Sequence, residues 1–206
     1  EDALALMKEY GVVPEAWGPF AEGKFGIFTH PVLTKIGSKY GKSAAQGFAR
    51  AQCCLGWCYE FGKGVELDEA RAVELYRAAA EQGLPRAQCC LGYCTEKGIG
   101  TEADPAAAAE WYRRSAEGGY SRGMYNYACC FENGTGVKKD LPLAQQWYER
   151  AAKEGLPDAM YELGVWYEDG RCGPKDAAQA LAWYKKAAEA GHDRARKAVE
   201  RMEKLV

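Results

Sequence analysis

The sequence repeats itself every 36 residues, and this period constrains the fold more than any other feature. Three columns keep that step through four consecutive units without an insertion: Asp68, Asp104, Asp140 and Asp176; Gly62, Gly98, Gly134 and Gly170; and Tyr76, Tyr112, Tyr148 and Tyr184. A fixed period of this length is typical of proteins built from stacked structural repeats. Because so short a unit cannot cover its own apolar face, each unit is expected to pack against its neighbours.

Each unit is predicted to contain two helices. In the first unit, apolar residues at helical spacing predict a first helix from about Ala51 to Phe61. Gly62-Lys63-Gly64 ends this helix, because glycine adopts the left-handed C-cap conformation at no steric cost. Asp68 suits the N-cap of the second helix, and Gly83 closes that helix. The predicted fold is all-α: a right-handed α-α superhelical solenoid of 36-residue two-helix repeats, in the manner of tetratricopeptide arrays.

The pattern within the repeat resembles a known family. The first unit carries Ala51-x3-Leu55-Gly56-x2-Tyr59, then Gly62-x-Gly64, and later Leu75-Tyr76-x2-Ala79-Ala80. This pattern is similar to the Sel-1-like repeat over roughly residues 48–191, and the later units carry the Trp-Tyr pair that is usual there. Departures are mild and fall at Thr95, Tyr127-Ala128 and Cys172-Gly173. The resemblance implies an adaptor or scaffold that assembles protein complexes, without naming the partner.

The two ends of the sequence differ from the repeats. Residues 192–206 are rich in charge and are predicted to form a C-terminal capping helix. Residues 1–47 contain Val12 to Gly23 and Pro31 to Gln46, two stretches that look like part of an aldo-keto reductase. The catalytic Asp, Tyr, Lys and His of that family lie upstream of the matching stretch and are absent here. We therefore interpret residues 1–47 as a reductase-like remnant that supplies an N-terminal capping helix.

Composition narrows the function further. Hydrophobic residues make up 48% of the chain, which is enough to bury a core. The net charge of -2 argues against a general nucleic-acid binder, which needs an excess of Lys and Arg. No apolar run reaches the roughly 18 residues of a membrane span. The expected location is the cytoplasm with reduced cysteines; a secreted or periplasmic location stays open because the sequence begins at Glu1 without a Met.

The cysteines repeat with the units. Cys53-Cys54-x3-Cys58 recurs as Cys89-Cys90-x3-Cys94. Zinc or redox chemistry is one interpretation, but zinc sites usually combine short Cys clips with His, and both histidines are distant in the repeat scheme. Neighbouring helices pack about 8–10 Å apart, whereas bridged Cα atoms need about 4.4–6.8 Å. The pattern favours thiols that pack as small apolar side chains, so we expect neither a metal nor a cofactor.

The inner wall of the array is the predicted binding surface. By analogy with tetratricopeptide arrays, first-helix residues two, six and nine positions after the opening Ala should line the concave face. The predicted partner-binding residues are the aromatic and acidic members of this set: Trp57, Glu60, Tyr93, Glu96, Tyr125, Glu132, Tyr161 and Glu168. Aromatic side chains are good interface anchors. A column of carboxylates favours a basic partner.

No pattern of residues indicates catalysis. The carboxylates recur with the repeat, and the two histidines are isolated from any nucleophile. Gly62-Lys63-Gly64 lacks the strand and the Gly-Lys-Ser/Thr that a phosphate loop requires. We predict a non-enzymatic scaffold that binds a peptide or protein. The alternative is a repeat protein that binds cell-wall or other small molecules with enzyme-like activity, as cysteine-rich relatives suggest; their cysteines pair between the two helices of one unit, an arrangement absent here.

Overall fold

The computed structural model describes residues 44–171 and 173–204, and side-chain burial from residue 48 onwards. Within these ranges the chain forms α-helices joined by short turns, with no strand. In chain order the helices are α1 Ala44–Phe61, α2 Glu69–Glu81, α3 Pro85–Lys97, α4 Pro105–Glu117, α5 Ser121–Asn133, α6 Leu141–Lys153, α7 Pro157–Asp169, α8 Ala177–Glu189 and α9 Asp193–Glu203. The described residues thus confirm an all-α chain of two-helix units.

The second helices of the four units start in the same way. Asp68, Asp104, Asp140 and Asp176 occupy the N-cap positions, and each carboxylate accepts a hydrogen bond from a backbone N–H of the first helical turn. These bonds satisfy donors that have no partner inside the helix. Pro105 follows its N-cap directly at the first helical position, where its missing N–H costs nothing. The predicted N-caps are confirmed.

The first helices of the units end in left-handed glycines. α3 ends at Gly98, whose φ is 70° and whose N–H donates to the carbonyl oxygen of Cys94. Gly134 and Gly170 end α5 and α7 with φ values of 74° and 73°. Any other residue would adopt this backbone at a cost of about 1–2 kcal/mol. The recurring glycines therefore set the boundaries of the first helices, as the sequence predicts.

The first helix differs from its prediction. α1 begins at Ala44 rather than near Ala51, and Gly47 lies within the helix instead of ending one. A glycine inside a helix costs only about 1 kcal/mol relative to alanine. Ala44, Ala45 and Ala49 around it are strong helix formers, so the helix continues. The remainder of the predicted N-terminal remnant, residues 1–43, lies outside the described residues.

The chain divides into two compact units at Ala103 and Asp104, and each has its own packing. In unit 1 (described from residue 44 to 103), α1 packs on α2 and α2 packs on α3. The ring of Tyr76 fills the space beside Gly56, where a Cβ atom would come within 2.9 Å of Tyr76 Cε1. Tyr76 is fully buried as a result.

In unit 2 (residues 104–204 apart from Cys172), each helix from α4 to α9 packs against the next along the chain. Gly164 repeats the arrangement of Gly56, because a Cβ atom there would lie 2.6 Å from the ring of Tyr184. Ala128 takes the equivalent position beside Tyr148, and both are buried. In these three repeats, a small residue on the first helix packs beside the buried tyrosine of the second helix.

Candidate functional site

The predicted carboxylates have a structural task that the sequence did not reveal. In three of the four repeats, the buried tyrosine of the second helix donates its hydroxyl hydrogen to a glutamate of the first helix. The pairs are Tyr76 Oη with Glu60 Oε2 at 2.6 Å, Tyr148 Oη with Glu132 Oε2 at 2.7 Å, and Tyr184 Oη with Glu168 Oε2 at 2.8 Å. Each carboxylate therefore anchors the end of a core side chain. The other carboxylate oxygen, Oε1, remains available for contacts outside the core.

Unit 1 presents the exposed aromatic residues of the predicted site. Trp57 on α1 and Tyr93 on α3 occupy the same position of consecutive repeats, and each is 43% exposed. Phe61 lies one turn after Trp57, with ring centroids 5.5 Å apart. Among the described residues, the large exposed hydrophobic side chains all belong to this unit: Trp57, Phe61, Leu67 and Tyr93. Unit 1 therefore has apolar surface that is available for an interface.

Unit 2 places its predicted aromatic residues differently. Tyr125 is half-buried and meets Tyr148 edge to face at 5.4 Å. Tyr161 stacks on His192 with ring centroids 4.6 Å apart, and the guanidinium of Arg194 lies 5.1 Å from its ring. Both tyrosines are engaged within the repeat stack. They are less available for a partner than Trp57 and Tyr93.

Three of the four glutamates in the predicted acidic column pair with a cation within the described residues. In unit 2, Arg171 pairs with Glu132 at 2.5 Å and Arg201 pairs with Glu168 at 2.6 Å. In unit 1, Lys97 pairs with Glu96 at 2.5 Å. No cation pairs with Glu60 among the residues that the structure describes. Among the described glutamates of this column, the one without a cation beside it is therefore Glu60, three residues after Trp57.

The Trp-Tyr pairs of the second helices belong to the core and its edge. Tyr112, Tyr148 and Tyr184 are fully buried, as expected for packing residues. The neighbouring tryptophans are half-buried under cations of the same helix: Arg114 lies over Trp111 at 4.8 Å, Arg150 over Trp147 at 4.5 Å, and Lys186 over Trp183 at 4.3 Å. Such cation–π contacts stabilise exposed helices modestly. The structural interpretation of these pairs is confirmed.

In two of the Gly-x-Gly turns, the second glycine allows close packing against the preceding repeat, whereas a Cβ atom at Gly64 would meet no atom within 4 Å. At Gly100, a Cβ atom would lie 2.2 Å from the carbonyl oxygen of Glu69, at the start of the preceding second helix. At Gly136, a Cβ atom would lie 1.9 Å from the carbonyl oxygen of Pro105. The turn of one repeat thus approaches the backbone of the repeat before it. This contact explains the glycine without any phosphate ligand.

The cysteines are packed mainly as small apolar side chains. Cys53, Cys89, Cys94 and Cys130 are buried, and burial raises the pKa of Cys94 to about 12. Interaction with the side chain of Cys90, together with burial, raises the pKa of Cys53 above its ordinary value.

A cavity of about 240 Å³ in unit 2 is lined by Gln145, Trp166, Tyr167, Gly173, Pro174 and Asp176. The buried Nε1 of Trp166 has no hydrogen-bond partner in the described part of the chain.

The described helices include none long and apolar enough to cross a membrane. Within the same residues, no cluster of three or more His, Cys, Asp or Glu side chains could hold a metal ion.

Comparison with protein families identifies the repeat. The Sel1 repeat model matches four consecutive segments, residues 49–84, 85–120, 121–156 and 157–192. These segments cover more than half of the chain and agree within one residue with the predicted span of 48–191. No curated protein matches the chain significantly.

Solved structures show the same fold. A Sel1 repeat protein from Oxalobacter formigenes is 32% identical with a TM-score of 0.71, over 96% of this chain and 86% of its own. A protective antigen of uropathogenic Escherichia coli with an SLR fold is 30% identical with a TM-score of 0.72; the match covers 98% of this chain but only 44% of the antigen. An immunity protein from Pseudomonas aeruginosa is similar in fold alone, with 23% identity, a TM-score of 0.55, and coverage of 88% and 67%.

Proposed function

Because the chain belongs to the Sel1 repeat family, we propose that it is a non-enzymatic scaffold that binds a partner protein through the first-helix surface of unit 1. Sel1 repeat proteins are in general protein-interaction scaffolds. Three residues form the proposed surface, which we call the aromatic surface: Trp57, Phe61 and Tyr93. The observation that carries the proposal is the exposure of Trp57 and Tyr93 at equivalent positions of consecutive repeats.

The position of Trp57 and Tyr93 in the repeat supports a binding role. Their counterparts in unit 2 are Cys129 and Val165, which are half-buried and smaller. A packing requirement common to all repeats would select similar residues in every unit. Large aromatic side chains in unit 1 alone, left 43% exposed, cost solubility without adding to the core. Aromatic side chains are the most frequent energetic anchors of protein interfaces, so a partner explains them best.

The charge beside the aromatic surface indicates the kind of partner. Glu60 lies three residues after Trp57 on α1, with no cation paired to it among the described residues. Its Oε2 accepts the hydrogen bond of Tyr76 Oη, which holds the carboxylate in place. A partner segment with a Lys or Arg next to an apolar side chain would meet the carboxylate and the aromatic rings together. We therefore propose a basic-apolar peptide segment as the ligand.

Selection from a random peptide display library tests this function. The selected peptides should be enriched in Lys or Arg beside aromatic or aliphatic residues. Replacing both Trp57 and Tyr93 by Ala should weaken their binding by at least tenfold, about 1.4 kcal/mol. Glu60→Gln should weaken it less, with the loss largest at low salt, because surface charges are screened at high ionic strength. Fluorescence anisotropy with labelled peptides measures the affinities.

A matched control separates this surface from general stickiness. Leu67 is 59% exposed but lies in the turn before α2, so Leu67→Ala removes exposed apolar area outside the aromatic surface. It should leave peptide affinity unchanged. Equal affinity of the selected peptides for the wild type and for the double variant would refute the aromatic surface as the binding site. Gel filtration at several concentrations then shows whether the surface joins two copies of this chain instead.

A further inference from the structure

Two glutamates of unit 2 each bind an arginine that follows later in the chain. Arg171 Nη1 donates to Oε1 of Glu132 at 2.5 Å, 39 residues away. Arg201 Nη2 donates to both carboxylate oxygens of Glu168 at 2.6 and 2.7 Å, 33 residues away. In both cases the buried tyrosine of the same repeat already donates to Oε2 and fixes the carboxylate. A glutamate that a core tyrosine orients is therefore a good acceptor for a guanidinium.

One of these arginines also contacts an aromatic ring. The guanidinium of Arg171 lies 5.9 Å from the ring centroid of Trp166 while its Nη1 bonds to Glu132. A guanidinium is planar and weakly hydrated, so it can stack on a ring and donate to a carboxylate at the same time. Lysine presents a single, strongly hydrated ammonium group and makes this pair of contacts less well. An oriented carboxylate beside an aromatic ring therefore favours arginine over lysine.

Glu60 in unit 1 has the same tyrosine contact but no cation among the described residues. Tyr76 Oη donates to Glu60 Oε2 at 2.6 Å, and the glutamate is half-buried. The positions 39 and 33 residues further on, which supply the arginines in unit 2, are occupied here by Ile99 and Tyr93. Glu60 Oε1 is therefore left without the partner that its counterparts in unit 2 have.

The repeat predicts that the ring of Tyr93 lies beside this carboxylate. Tyr93 follows Glu60 by 33 residues, which is the separation between the arginine of α9 and its glutamate in α7. The helices α1 and α3, which carry these two residues, approach each other within 8 Å between Cα atoms. Tyr93 is 43% exposed, and so is Trp57, three residues before Glu60 on α1. An exposed ring thus occupies the position at which unit 2 has the arginine itself.

We propose that the ligand of the aromatic surface inserts an arginine beside the ring of Tyr93, with its guanidinium donating to Oε1 of Glu60. This inference rests on the proposed function and names the side chain that the surface selects. The ligand's arginine reproduces, across an interface, the arginine contacts that unit 2 makes within the chain. The apolar neighbour of that arginine packs on Trp57 and Phe61, whose ring centroids lie 5.5 Å apart.

Synthetic peptide libraries that differ at one fixed position test the inference. Each labelled library has the form Ala-X-Z-X-Ala, in which X is an equal mixture of Phe, Leu, Trp and Tyr. The fixed residue Z is arginine, lysine, citrulline or norleucine; citrulline keeps the shape of arginine without its charge. By fluorescence anisotropy, the arginine library should bind the intact chain about fivefold more tightly than each of the others, since a guanidinium combines stacking with charge.

Substitutions assign this preference to one carboxylate. Glu60→Gln should remove the advantage of the arginine library over the lysine library. Glu132→Gln, the same change at a glutamate already paired within the chain, should preserve it. The double variant Trp57→Ala with Tyr93→Ala should weaken the binding of every library. Circular dichroism and thermal unfolding verify that each variant is folded.

The outcomes separate this inference from the proposed function. Equal affinity for the arginine and lysine libraries, with both lost in the double variant, would overturn the selection of arginine and leave the aromatic surface as the binding site. Binding of no library, or binding that the double variant leaves unchanged, would overturn both.

A test without a ligand checks the placement of Tyr93. Tyr93→Arg puts an arginine at the position, relative to Glu60, that Arg201 has relative to Glu168. This variant should unfold at a temperature about 1–4 °C higher than Tyr93→Gln, because the new guanidinium pairs with the carboxylate. The difference should vanish when Glu60→Gln is added to both. Equal melting temperatures of Tyr93→Arg and Tyr93→Gln would show that a side chain at this position does not reach Glu60, and the inference would be wrong.

Discussion

At the scale of single residues, the hydrogen bond between the buried tyrosine and the first-helix glutamate is the most testable structural feature. Tyr148 is 1% exposed and donates to Glu132 at 2.7 Å. Tyr148→Phe keeps the ring and removes this charge-assisted bond. It should lower the free energy of unfolding by about 1.5–3 kcal/mol, the usual contribution of a hydrogen bond to a charged group. Urea unfolding followed by circular dichroism measures the change.

The same substitution at an exposed position is the control. Tyr93 is 43% exposed, so Tyr93→Phe should change the free energy of unfolding by less than about 0.5 kcal/mol. If the two variants lose equal stability, the hydroxyl of Tyr148 contributes no more than a solvated one. The anchoring role of Glu132 would then be wrong.

The sequence predicts single residues well where the period alone determines their role. The tyrosine column is recognisable as core because it recurs with every repeat, and the Asp column is recognisable as N-caps because each Asp precedes a helix. The acceptor role of Glu60 was not predictable, because Tyr76 lies on another helix, 16 residues away.

At the scale of helices and turns, the glycine that touches the preceding repeat should be more sensitive than a glycine that only needs a left-handed backbone. Gly136 has a φ of 70°, and a Cβ atom there would lie 1.9 Å from the carbonyl oxygen of Pro105. Gly136→Ala therefore combines the left-handed backbone cost of about 1–2 kcal/mol with an overpacking cost of about 1–3 kcal/mol. Chemical denaturation should show a loss near the sum.

Gly119 supplies the matched comparison in the same unit. Its φ is 84°, and a Cβ atom there would have no other atom within 4 Å. Gly119→Ala should therefore cost only the backbone contribution of about 1–2 kcal/mol. A loss for Gly136→Ala no larger than that for Gly119→Ala would contradict the close approach between repeats.

Element boundaries were predictable where glycine, proline or Asp punctuates the repeat. Pro85 and Pro157 begin α3 and α7, and Gly98 ends α3, as the sequence indicates. The start of α1 was not predictable from the same signals. Gly47 lies in the glycine column that closes second helices elsewhere, yet the helix runs through it. Glycine permits a left-handed turn without requiring one. The helix propensity of the neighbouring residues therefore determines whether the helix continues through it.

At the scale of the whole molecule, the repeat determines how stability responds to pH, because the same buried tyrosine recurs along the chain. Burial is the main cause that raises the pKa of Tyr76, Tyr148 and Tyr184 above the ordinary value of 10.0. Above pH 10 the unfolded chain loses phenolic protons that the folded chain keeps. The contribution of these tyrosines to stability is therefore complete below pH 10 and falls as the pH rises, by up to about 1.4 kcal/mol per pH unit for each tyrosine. Urea unfolding between pH 8 and pH 11 should show this decline.

The Tyr148→Phe variant tests the contribution of one tyrosine. Its free energy of unfolding should fall less steeply with pH above pH 10, by one tyrosine's share, and should run parallel to that of the wild type below pH 9. An unchanged slope in that variant would show that Tyr148 ionises as readily in the folded chain as in the unfolded one.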